Sequence, residues 1–260
     1  MILKMGTRQS ALAKIQADSA IRLLEENLKS LKFEIVSLSS PGDRDKKSDL
    51  TSAPPDFFTK DLDDAVIAGK IDCAVHSAKD LPEPMPEGLD WFWLPNNEDP
   101  RDVIVFPKEQ RQKCAKSKGR RGTKSQNVEF NLKSEIQNPK SKIRIGVSSS
   151  RREGYCRKKF PGAKLLPVRG TIEERIAQLD EGKFDLLVMA AAGLLRLGLA
   201  HRISEYVPLT DLPSPDGQGY LAITFGKNDR TFREIRKYFV KSVVFAGAGP
   251  GDSGLVTLET

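Results

Sequence analysis

Apolar and polar positions along this chain switch repeatedly between a period of two and a period near 3.6. "MILKMGT" alternates as a strand, and in "RQSALAKIQADSAIRLLEENLK" Leu12, Ile15, Ile21, Leu24 and Leu28 recur at helical spacing. "KFEIVSLSS" is the next strand. After the polar "PGDRDKKSDLTSAPPD", a helix is expected with Phe58, Leu62, Ala65 and Val66 on one face, ending at Gly69. "IDCAVHS", "LDWFWLP" and "DVIVFP" read as strands. The alternation resumes with the strand "KIRIGVSS", the helix "RREGYCRKKF" and the strand "AKLLPVRG". It continues with a helix, "TIEERIAQLDEGK", that puts Ile172, Ile176 and Leu179 on one side. "FDLLVMAAAG" is continuously apolar, as expected of a strand covered on both faces. "YLAITF" and "DRTFREIRKYFVKS" supply a last strand and helix. This order predicts an α/β chain of two domains with mostly parallel sheets and a cleft between them.

The basic, weakly apolar stretch at 107–142 and the Pro- and Gly-rich "LPSPDGQG" interrupt the pattern. They suggest a first domain of residues 1–105 plus 219–242 and a second of 106–218, with the insertion at 107–142 as the boundary. The whole chain carries 42 Lys and Arg against 35 Asp and Glu, a net charge of +7. Residues 107–142 alone hold eleven Lys or Arg and three Asp or Glu, so the rest of the chain is close to neutral. The excess therefore belongs to one insertion, which reads first as a solvated loop, with RNA or membrane-surface binding as the less favoured alternative. No aromatic residue is interleaved in "KEQRQKCAKSKGRRGTKSQ" to stack on bases.

Hydrophobic residues make up 38% and charged residues 30%, as in a globular domain. No apolar run is long enough to cross a bilayer, and "MILKMGTRQS" lacks a signal-peptide core. The three cysteines, Cys73, Cys114 and Cys156, are odd in number and far apart, and the two histidines are His76 and His201. Neither a disulfide framework nor a metal site is expected, and a reducing cytoplasm is the predicted location.

Ligands of such sheets collect beyond the carboxyl ends of the strands. Thr7, Arg8 and Ser10 follow the first strand. Ser77, Lys79 and Asp80 end "IDCAVHSAKDLPEP", where Pro82 stops the ladder. Ser148, Ser149, Ser150, Arg151 and Arg152 follow "KIRIGV", and Arg169 and Gly170 follow "LLPV". One such cluster is ordinary loop polarity, but four strand ends with hydroxyls and cations predict an anion-binding cleft. Helix starts near Arg8, Ser150 and Gly170 would add backbone N–H donors. His76 and Cys73 read as strand packing.

"TRQSALA", "FFTKDLDDAVIAGKIDCAVHSAKDLP", "EDPRDVIV", "GVSSSRRE", "VRGTIEERIAQLDEGKFDLLVMAAAGLLRLGL" and "LPSPDGQGYLAI" occur in one order over most of residues 1–225. In these stretches the chain resembles the porphobilinogen deaminase (hydroxymethylbilane synthase) family. The resemblance implies two periplasmic-binding-protein-like domains, a small third domain, and a dipyrromethane cofactor tethered to a cysteine. It implies head-to-tail joining of four porphobilinogen molecules with loss of ammonia, in tetrapyrrole (porphyrin and haem) biosynthesis.

By the same resemblance, Asp80 is the catalytic carboxylate, facing cationic pyrrole species and the pyrrole N–H, with Lys79 beside it on cofactor carboxylates. Arg8, Arg151, Arg152, Arg169, Arg175 and Arg196 would hold carboxylates, and Ser10, Ser77, Ser148 and Ser149 would add neutral hydrogen bonds. Gly170 belongs to the same set. For Arg175 and Arg196 the alternative is helix-surface charge; for Phe58, which would lie beside pyrrole rings, it is core packing.

Three features depart from the family. No cysteine stands in the Gly-Gly-Cys context of the cofactor attachment site, so a third domain is expected to be missing and covalent attachment has no candidate. "SAPPDFF" replaces a Gly-Lys-Gly turn, with Pro55 in place of the Lys. Finally, "VVFAGAGPGDSGLVTLET", residues 243–260, resembles the start of uroporphyrinogen-III methyltransferase, which suggests a fused or partner tetrapyrrole methyltransferase. A non-catalytic module binding pyrrole carboxylates, or an inactive fragment of such a fusion, is the alternative to the enzyme.

Overall fold

A computed structural model describes residues 2–44, 54, 56–95, 97–108 and 143–240. The first sheet has five strands in the order β2-β1-β3-β10-β4: β1 is Ile2–Arg8, β2 Lys32–Leu38, β3 Cys73–Ser77, β4 Leu89–Trp93 and β10 Leu221–Gly226. The second, also of five, runs β7-β6-β8-β5-β9, with β5 at Asp102–Val105, β6 at Arg144–Val147, β7 at Lys164–Pro167, β8 at Leu186–Ala190 and β9 at Glu205–Tyr206. In each sheet three strands are parallel, and the remaining two pairings are antiparallel. The helix-connected strands are thus the parallel ones. β10 and β5 enter their sheets after crossing from the other domain and run the opposite way.

The placement of β5 corrects the expected boundary at residue 105. Asp102 to Val105 pair with Ala190 to Leu187 of β8, so β5 belongs to the second domain. The crossing lies earlier, between β4 and β5, and the return lies between β9 and β10. The basic insertion connects β5 to β6 inside the second sheet, so it does not separate the domains. Its own residues 109–142, the loop around Pro55, Cys114 and residues 243–260 lie outside the described residues.

The helices are α1 Ala11–Asn27, the single turn α2 Pro41–Arg44, α3 Lys60–Ile67, α4 Ser150–Lys159, α5 Ile172–Asp180, α6 Ala191–Arg196 and α7 Arg230–Phe239. The fully buried face of α1 consists of Ala13, Gln16, Ala17, Ala20 and Leu24, while Leu12, Ile15, Ile21 and Leu28 are only partly covered. Small residues let the helix sit close to the sheet, and the larger side chains flank the contact. In the second sheet the pleat sorts one apolar run into two cores. Val103 and Val105 of β5 join Leu187 and Met189 of β8 against α5 and α6, whereas Ile104 joins Leu186 and Val188 against α4. Each buried side chain of this size stabilises the fold by about 1.5–3 kcal/mol relative to exposure. The apolar run "FDLLVMAAAG" ends as a strand at Ala190, and α6 begins at once.

Candidate active site

The carboxyl ends of β1 and β3 face those of β6 and β8 across one cleft of about 700 Å³. All fourteen residues singled out in the sequence line it. From the first domain come Arg8 and Ser10 after β1, Phe58 before α3, and Ser77, Lys79 and Asp80 at the end of β3. From the second come Ser148, Ser149, Arg151 and Arg152 after β6, Arg169 and Gly170 after β7, Arg175 on α5 and Arg196 on α6. Arg175 and Arg196 thus face the cleft. Phe58 lies in the turn ahead of α3, not on its core face, and its ring sits 4.7 Å below the Arg8 guanidinium. Phe57 meets Phe58 edge-on at 5.3 Å and lies 5.8 Å from the Arg169 guanidinium.

The serines are already engaged. Ser10 caps α1 by accepting from the Ala13 amide at 3.2 Å, and Ser149 caps α4 by accepting from that of Arg152 at 3.4 Å. At α5, Thr171 and Glu174 form a reciprocal capping box. The backbone donors expected at these helix starts are therefore partly taken by the chain's own side chains. Ser77 accepts from the buried Gln16 Nε2 at 2.9 Å, and Ser148 accepts from Arg175 Nη1 at 3.1 Å and Arg152 Nη1 at 3.4 Å.

Seven cations, six Arg and Lys79, line the cleft, against two carboxylates, Asp80 and Glu173. Behind them lies Asp102, fully buried at the start of β5, which binds both Arg151 and Arg152. A positive excess remains. Burial and the neighbouring Arg152 and Arg169 guanidinium groups push the Arg175 pKa down to about 10, while Asp80 opposes the shift. Its Nε is steadied by the Gly170 carbonyl at 2.8 Å. Burial also lowers the Arg196 pKa. Cations crowded in this way are stabilised by an anionic ligand.

Lys79 and Asp80 form the short 3-10 turn that follows β3. The Lys79 side chain is exposed to the cleft, where protein atoms crowd it and thin its hydration. Desolvation there, followed by Arg152, pushes its pKa down to about 8; Asp80 and Asp102 oppose the shift. Its Nζ donates to Gln218 Oε1 at 3.2 Å. The Asp80 carboxylate makes no hydrogen bond or ion pair with the described residues and faces the cleft.

Beneath this corner, His76 both packs in β3 and lines the cleft. Its Nε2 is 3.0 Å from Thr224 Oγ1 and 3.9 Å from Asp63 Oδ1. Burial, then Arg8, lowers its pKa to about 3, so the ring is neutral. Burial raises the Asp63 pKa to about 6, opposed by the nearby Thr59 hydroxyl, which does not reach hydrogen-bond geometry with either carboxylate oxygen. Cys73 and Cys156 are buried thiols in the cores, with pKa values raised by desolvation. Neither faces the cleft, so neither fits as a cofactor attachment point.

Sequence reasoning missed Asp102, Gln16 and Gln218. Asp102 was visible in "EDPRDVIV" as a charge entering an apolar strand, a signal for a buried partner.

A profile described as "Porphobilinogen deaminase, dipyromethane cofactor binding domain" matches residues 3–234. The chain belongs to the porphobilinogen deaminase family. It is 33% identical over 238 residues to the porphobilinogen deaminase of Geobacter metallireducens, covering 91% of this chain and 67% of that relative. To that of Deinococcus radiodurans it is 36% identical over 235 residues, covering 89% and 68%. To that of Neurospora crassa the figures are 32% over 237 residues, 90% and 65%. The chain thus spans about two thirds of the length of these family members. Solved structures with similar chain paths include the Bordetella pertussis BvgS VFT2 domain (14% identity, 90% of this chain and 84% of that one, TM-score 0.47). The BenM effector binding domain with benzoate is comparable (15%, 93% and 95%, TM-score 0.47). Among the described residues, no helix is long and apolar enough to cross a membrane.

Proposed function

We propose that this chain carries the condensing cleft of a hydroxymethylbilane synthase, in which porphobilinogen molecules are joined head to tail with loss of ammonia. The carrying observation is the crowding of Arg152, Arg169 and Arg175 beside Asp80 in a cleft of clear positive excess. Such a cleft fits a dipyrromethane, whose pyrrole side chains end in carboxylates. When bound, the dipyrromethane supplies the pyrrole carbon on which the chain is extended.

Arg8, Arg169, Arg175 and Arg196 hold carboxylates, and Arg151 contributes its cleft-facing edge. Lys79 adds a point charge. Phe58, stacked under Arg8, presents an aromatic face to a pyrrole ring. Asp80 accepts a hydrogen bond from the pyrrole N–H and stabilises the positive charge that develops as ammonia departs. Burial of Cys73 and Cys156 in the cores favours a second reading, a module that binds pyrrole carboxylates without turnover.

Intact-mass measurement of the purified chain and a porphobilinogen consumption assay separate the two readings. The enzyme reading expects a dipyrromethane-sized adduct, a positive pyrrole colour reaction and consumption that is lost in Asp80→Ala. An unmodified mass together with porphobilinogen binding but no consumption would establish the binding module.

A further inference from the structure

Gln218 is buried, yet its side-chain amide reaches the cleft and three of its four bonding directions are used. Oε1 accepts from Lys79 Nζ at 3.2 Å. Nε2 donates to the Pro100 carbonyl at 2.6 Å and approaches Asp102 Oδ1 at 3.4 Å. The orientation of the amide is decided by its partners. A carbonyl and a carboxylate only accept and an ammonium only donates, so the flipped amide would face three mismatches.

Gln218 and its three partners lie in four different places. Pro100 is on the first crossing between the domains and Gln218 on the second. Lys79 belongs to the turn after β3 in the first domain. Asp102 opens β5 in the second, where it binds Arg151 and Arg152. The backbone is shaped to deliver the amide here. Gly217 and Gly219 flank it with φ of +71° and +97°. A Cβ at 217 would lie 2.9 Å from the backbone of Ala78 and of Lys79, and one at 219 would lie 2.4 Å from the Glu98 carbonyl oxygen. Only glycines allow the loop to press against both the Lys79 turn and the first crossing. The Gly219 carbonyl in turn accepts from Glu98 N and from Arg196 Nη2.

We propose that Gln218 is a positioning residue: its amide anchors the Lys79 ammonium to the crossing segments, holding it beside Asp80 and apart from Asp102. Without that acceptor, the Lys79 ammonium loses a hydrogen bond that the cleft does not replace, and the neutral amine is favoured. Asp80 would then have a less charged neighbour, and the cleft would lose part of one cation. The catalytic consequence rests on the roles proposed above for Lys79 and Asp80. The anchoring does not, so its test reads Lys79 alone.

The test is acylation of Lys79 by a small amine-reactive ester over a pH series, located by peptide mass spectrometry. Thermal melts of each variant confirm folding, and Lys79→Arg identifies the peptide. Gln218→Met keeps the length of the side chain and removes the acceptor. It should favour the neutral amine, lower the labelling midpoint and speed labelling near neutral pH. Gln218→Glu places a carboxylate against the ammonium, so its midpoint should rise and its labelling near pH 8 should slow by about tenfold, one pKa unit. General loosening of the loop would move both variants the same way. Opposite displacements support the anchoring. Displacements of one sign, or unchanged midpoints, would overturn it. Should Gln218→Glu fail to fold, Gln218→Met decides alone: a midpoint at or above that of the parent chain rejects the proposal.

Discussion

Both Nε and Nη2 of Arg152 converge on one oxygen of Asp102, at 3.1 and 2.8 Å, while the other oxygen is bound by Arg151. The Asp102 carboxylate is fully buried and the Arg152 side chain nearly so. The arginine pair that follows β6 is therefore held first by the chain's own carboxylate. Arg151, whose Nη1 also donates to the Pro213 carbonyl at 2.6 Å, retains the more exposed edge.

Removing the carboxylate while leaving both cations in place isolates that relationship. Breaking a buried pair from one side costs about 3–5 kcal/mol, because the remaining charge stays buried and unpaired. Asp102→Asn is accordingly expected to lower the free energy of urea unfolding by about 3 kcal/mol. Arg151→Ala should cost less, since its side chain is better solvated. Equal losses in the two variants would contradict this account of the pair.

The crowded cations give a different signature. Arg175→Ala relieves repulsion from Arg152 and Arg169 in the ligand-free protein and deletes a carboxylate-binding group. Stability should change little, whereas affinity for a pyrrole bearing acetate and propionate groups should fall by about 10- to 100-fold, the equivalent of one charge-assisted hydrogen bond. Titration calorimetry at two ionic strengths checks both the loss and its attenuation by salt. Unchanged affinity would remove Arg175 from the binding set.

The strand-end clusters could be read from the sequence because each follows its own apolar run directly. Arg8, Lys79, Asp80, Arg151 and Arg169 need only the rule that ligands gather at strand ends. The connecting residues could not be read this way. Gln16 is a polar residue on a helix and Gln218 a polar residue in a loop. Their contacts lie 61 residues away, at Ser77, and 139 residues away, at Lys79. The membership of β5 was hidden for the same reason. Its period-two pattern marks a strand, but pairing with β8, more than eighty residues later, decides the sheet. In α1 the weight of Leu and Ile drew attention to the flanks of a contact made chiefly by alanines.

Asp63 provides a test of buried charge beneath the site. Its pKa is raised by burial to about 6 from an ordinary 3.8. In the folded chain it holds its proton more tightly than in the unfolded chain, so stability falls as pH rises between these values. The penalty is complete above about pH 6 and absent below about pH 4. Asp63→Asn removes the ionisation. The stability difference between variant and parent should therefore favour the variant by up to about 3 kcal/mol more near pH 8 than near pH 4. Taking the difference between the two pH values cancels the cost of placing an amide there. Urea unfolding at both pH values measures it, and a pH-independent difference would show that Asp63 titrates alike in the folded and unfolded chains, against the shift caused by burial.

Lys79 connects the pH of the medium to ligand capture. With its pKa pushed down to about 8 by desolvation and Arg152, part of the population is neutral in mildly alkaline solution. A carboxylate ligand favours the ammonium form, so binding near pH 8 should draw a proton from the buffer. The sign follows directly: affinity is highest well below pH 8 and declines as pH rises through that value. Calorimetric binding enthalpies measured in two buffers of different ionisation heat should differ by a positive fraction of one proton taken up. In Lys79→Arg that uptake should vanish, because a guanidinium stays charged throughout the range. Uptake that persists in Lys79→Arg would assign the proton to another group in the cleft.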